Sequence, residues 1–124
     1  NPQKGISELL ILQSKNESIK SLMNSLKSFA SIAKENNLKK SDLSISMAES
    51  LHMLLTLLSE CEKSQEDIGI LINLTAEQGS LMDEIRTKVS KSKGTSGHEQ
   101  KALFLLTRLF ERLVWQIRKH NSIQ

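Results

Sequence analysis

Tyrosine is missing from this 124-residue chain, and Trp and Phe together bring the aromatic content to only 3%. A core without many rings has to be built from Leu, Ile and Met, which suits packed helices. One proline, Pro2, and five glycines leave the interior almost free of helix breakers. No stretch alternates polar and β-branched residues long enough to read as a strand. Cys61 is the only cysteine, which excludes an internal disulfide framework and favours a reducing compartment. No apolar run approaches the ~20 residues of a membrane-spanning helix. There is no secretory leader and no initiator Met, so the expectation is a fragment of a longer intracellular protein, nuclear or cytoplasmic. The sequons at Asn16 and Asn73 fall inside predicted helices and read as accidental.

What is present is enough apolar content, 38%, to close a single domain over residues 1–124. The net charge of +3 conceals a strong segregation. Residues 1–41 carry +4, residues 42–85 carry −8 and residues 86–124 carry +7. Folding the chain back on itself would bring an acidic middle against basic ends. The other reading is a basic surface offered to an anionic partner.

Apolar spacing divides the chain. Ile19, Leu22, Leu26, Phe29 and Ala33 step by three and four, and Leu9 and Leu12 extend that stripe backward. This predicts a helix over 6–36, whole or with a weak point at Lys15-Asn16, stopping at Asn36-Asn37. Ser41 then caps a second helix through Met47, Leu51, Leu54, Leu58 and Cys61. A third pattern, Ile68, Leu71, Leu74, Leu81 and Ile85, follows. A single helix over 41–90 would be about 75 Å long and could not be covered by this chain, so a break is placed at 62–64. Ser64 looks like a fresh N-cap, with acids in the first turn after it. Within the third pattern, ILINLTAEQGSLMDEI resembles an armadillo-type helix pair in general form only. The polar stretch 90–97 reads as a flexible loop, and Ser96 with Glu99 forms a capping box for the last helix. The fold class expected is all-α, an antiparallel bundle of about four helices. The alternatives are a helical-repeat segment or a dimer built on long helices.

The last helix carries the most pointed signal. Leu103, Leu106, Phe110, Leu113 and Ile117 fall in one band at 100° per residue, with Leu109 and Val114 on its flanks. Opposite them lie Lys101, Phe104, Arg108, Arg112, Trp115 and Lys119, two rings interleaved with four cations. Such a face can pack on its own bundle, with cations stacked on rings at i, i+4 spacing. It can bind a protein, since Trp and Arg are enriched at interface hot spots. It can also meet nucleic acid or an anionic membrane, a reading that the flanking Arg86, Lys88, Lys91 and Lys93 support.

Catalytic and metal-binding patterns are lacking. His52, His98 and His120 have no partners at ligand spacing. Glu49 and His52 make one Glu-x-x-His step, but a di-iron bundle needs two such steps and further glutamates. Cys61, flanked by Glu60 and Glu62, is a poor nucleophile on an apolar stripe. No phosphate-binding glycine loop or nucleophile elbow occurs. The sequence therefore predicts a non-catalytic interaction or scaffold module without cofactor or metal. It would dock a helical or acidic segment of another protein, or a second copy of itself. The alternative is a basic helical module that associates with nucleic acid.

Overall fold

The computed structural model describes residues 2–38, 41–64, 67–92 and 97–123. It is all-α: α1 (Pro2–Glu35), α2 (Asp42–Lys63), α3 (Ile68–Leu74), α4 (Ser80–Lys91) and α5 (Gly97–Asn121), with no strand among the described residues. One more helix is present than the apolar patterns suggest. None of the described helices is long and apolar enough to cross a membrane.

α1 runs unbroken through Lys15-Asn16. Its end follows local chemistry. Asn37 takes φ 55°, the left-handed region that Asn tolerates better than most residues. There the Leu38 N–H donates to the Ala33 carbonyl at 2.8 Å, and Leu38 is buried under the turn. α2 starts where expected, with the Ser44 N–H donating to the Ser41 hydroxyl at a long 3.5 Å.

The break between α2 and α3 falls at Lys63-Ser64, within the predicted window, but Ser64 is the C-cap of α2 rather than an N-cap. Asp67 precedes α3 and makes no side-chain cap. Gln65 and Glu66 lie outside the described residues.

The third pattern is interrupted at 75–79, giving α3 and α4 instead of one helix. Thr75 turns its buried hydroxyl back to the Leu71 carbonyl at 2.8 Å. Gly79 then closes the corner so tightly that a Cβ there would sit 2.8 Å from the Asn73 carbonyl oxygen. Only glycine allows that approach. The connection to α5 is shorter than the predicted loop, because Ser90 and Lys91 belong to α4 and Gly97 opens α5. The capping box at Ser96 lies outside the described residues.

α5 is the hub and touches each of the other four helices, α1 and α2 most extensively. The pairs Ser21–Gln116 and Ser18–His120 show that α1 and α5 run antiparallel. All five residues of the predicted α5 band are buried, with Leu106, Phe110, Leu113 and Ile117 fully enclosed. They meet Leu22 and Phe29 of α1, Met47, Leu51 and Leu54 of α2, Leu71 of α3 and Ile85 of α4 in one core. Each such side chain contributes roughly 1.5–3 kcal/mol on burial. Leu9 and Leu12 do not join this core: both are exposed. Between Pro2 and Glu17 only Ile11 and Lys15 are even half-buried.

Candidate functional site

The outer face of α5 follows from its inner one. Once the Leu106–Phe110–Leu113 band is in the core, the residues 180° away must face outward. Lys101, Phe104, Arg108, Arg112, Trp115 and Lys119 are all exposed, Phe104 by 52% and Trp115 by 57%. The helix is therefore not packed on both sides within this chain. One cation–ring contact is described on this face, Lys119 Nζ at 5.5 Å from the centre of the Trp115 ring.

α4 lies beside this face and makes a groove of it. One depression is lined by Phe104, Leu105, Lys101 and Arg108 of α5 with Arg86 and Val89 of α4. A second is lined by Trp115, Val114, Arg118 and Lys119 with Met82 and Arg86. Arg86 and Glu111 border both, so the two are ends of one trough. Five of the six residues singled out from the sequence thus line the groove or its mouth, and Arg112 does not. Arg118 was missed, and Arg86 was named only as a cation flanking the stripe. Arg86 stands on another helix, where no α5 periodicity could reveal it.

The charges of the groove are poorly paired from within. The described Lys or Arg ion pairs are local ones on α4: Arg86–Asp83 at 3.8 Å and Lys88–Glu84 at 3.4 Å. Arg86 also donates to the Glu77 carbonyl at 2.7 Å. No described ion pair links a Lys or Arg of α5 to the acidic middle of the chain.

A second cluster was not anticipated. His120 is only 3% exposed; its Nδ1 lies 3.0 Å from the Ser18 hydroxyl and its Nε2 3.0 Å from Glu62 Oε1. With the proton on Nε2, the ring donates to the carboxylate and accepts from the hydroxyl. The order carboxylate–imidazole–hydroxyl is that of a hydrolytic triad. Ser18, however, sits in the interior of α1, where backbone N–H groups are engaged in the helix and offer no oxyanion site. The cluster pins α1, α2 and α5 together. Its sequence signal was spacing: His120 follows Leu113 and Ile117 on the inner side of α5.

His52 is exposed on α2, away from any ligand set, and no group of three His, Cys, Asp or Glu residues among those described could hold a metal ion. Cys61 is buried, and its thiol is pushed above the ordinary range first by burial, then by Asp67 and Glu60. Compared with known protein families, curated proteins and solved structures, the chain matches none.

Proposed function

We propose that this chain is a non-catalytic interaction module whose α4–α5 groove docks an acidic amphipathic helix of another protein. The observation that carries this reading is the exposure of Phe104 and Trp115 in a trough rimmed by Arg86, Lys101, Arg108, Arg118 and Lys119. Large rings exposed beside several cations are the composition of a hot spot waiting for cover. The two rings lie about 16 Å apart along α5, or three helical turns, a span that a partner helix bridges with anchors at i, i+4, i+7 and i+11. Cations on the rim set orientation and speed the encounter.

Nucleic acid fits the same trough less well. Glu111 stands between the two depressions and Glu77 borders one of them, where they would repel a phosphate backbone.

Trp115, the only tryptophan, is a built-in reporter. Titration with a Glu-rich amphipathic helical peptide is expected to shift its emission to the blue, and a Lys-rich peptide of the same apolar pattern is not. Changing Phe104 and Arg108 to Ala and Glu should abolish the shift without altering the melting temperature. The reading fails if Trp115 stays solvent-like with the acidic peptide. It also fails if duplex DNA or RNA alone gives a steeply salt-dependent shift.

A further inference from the structure

The N-terminal half of α1 presents a different problem, independent of the α5 groove. Ile6, Leu9, Leu10 and Leu12 each expose more than half their surface, Leu9 as much as 66%. With Ile11 they make this segment apolar around most of its circumference, a pattern found in helices that are covered on several sides. No other helix among the described residues covers it, and a segment of this length is marginal as an isolated helix in water.

We propose that this half of α1 pairs antiparallel with the same segment of a second copy, about a two-fold axis between Leu10 and Ile11. On the side away from the α5 contact, Leu9, Leu12, Asn16, Ile19 and Met23 recur at alternating three and four. That is the spacing of a coiled-coil seam. In the proposed register Leu9 of each helix meets Leu12 of the other, twice. Asn16 falls opposite Gly5 at the rim, where its amide stays wet.

Charge complementarity selects this occupant. Residues 2–18 carry Lys4, Glu8, Lys15 and Glu17, which balance to zero within a chain of +3. The same register sets Glu8 beside Lys15 of the second copy twice along one flank of the seam, a self-complementary arrangement of the kind a two-fold axis requires. The area also fits. Each exposed Leu or Ile offers roughly 100 Å² at about 25 cal/mol per Å². The four that this seam covers, Ile6, Leu9, Leu12 and Ile19, give about 400 Å² per copy, half of the ~800 Å² of a standard interface and suited to a weak dimer whose mass depends on concentration.

The test is the mass of the full chain in sedimentation equilibrium between about 1 μM and 1 mM. The wild type is expected to approach twice 14.0 kDa as concentration rises. Leu9→Glu with Leu12→Glu should return it to the single-chain mass with Trp115 emission and its response to the acidic peptide unchanged, which separates this surface from the α5 groove. Glu8→Lys and Lys15→Glu should each weaken the dimer about tenfold, and the two together should restore it. A wild type that stays at single-chain mass throughout would overturn the proposal, including the case in which another segment or protein covers α1. So would a dimer that survives the Leu9 and Leu12 changes. Failure of the charge swap to rescue association would overturn the antiparallel register.

Discussion

The two longest helices carry similar apolar spacing and have opposite fates. α5 buries ten of its 25 residues, whereas α1 buries three of its 34. The difference lies in what surrounds them. α5 is enclosed by four helices, while α1 leans on α5 along its C-terminal half and leaves the other half open. Periodicity selects a face, but burial depends on whether the chain supplies something to meet it.

The contrast can be broken first at its strongest point. Phe110→Ala, at a fully enclosed ring of α5, is expected to cost about 3–5 kcal/mol in denaturant melts. Leu9→Ala measured at monomeric concentrations should stay within about 0.5 kcal/mol. Equal losses at both sites would mean that α1 is covered by its own bundle.

Next comes the pin at the far end of α5. His120→Ala removes both part-buried hydrogen bonds of the imidazole and opens a cavity, for an expected loss of roughly 1–3 kcal/mol. Ser18→Ala should cost less, because it removes only one of the two. Glu62 is half-exposed and water can replace its contact with the ring. If the three single variants melt alike, the cluster is not what ties α1 to α5.

Gly79→Ala tests the corner that separates α3 from α4. The added Cβ would press on the Asn73 carbonyl, and relieving that contact should cost about 1–2 kcal/mol. A stabilised variant would show that the two helices can merge.

The smallest effect is confined to alkaline solution. Burial and nearby carboxylates raise the folded Cys61 thiol above its unfolded value. The contribution is therefore fully present below the ordinary thiol range and is lost as pH rises through the raised value. Stability of wild type should fall more than that of Cys61→Ala over this interval, by chemical denaturation at stepped pH.

Much of the fold was legible because the relevant interactions are short in sequence. The α5 band, the stop at Asn36-Asn37, the start at Ser41 and the break at Lys63-Ser64 all rest on contacts within about one turn of helix. Leu9 and Leu12 deceived, since three-four spacing does not record which of two faces finds a neighbour. The corner at Thr75–Gly79 was hidden by an apolar pattern that continues across it. Its cue was the single glycine before Ser80, whose role depends on a carbonyl six residues earlier. The exposed rings of α5 and the inward register of His120 could be placed from the helical period alone, but not the groove that Arg86 borders with α5 or the partners that His120 meets. Those placements join helices far apart in sequence.

By itself the sequence determined that the backbone coils, which side of α5 is apolar, and that its charges lie in three blocks. These depend on residue type and on a period of 3.6, which act locally. Tertiary structure alone decided that α4 flanks the Phe104–Trp115 face to form a groove, that a buried imidazole joins three helices, and that half of α1 goes without cover. Each of these depends on the relative placement of helices, which is a compromise among all the buried faces at once and is carried by no one of them.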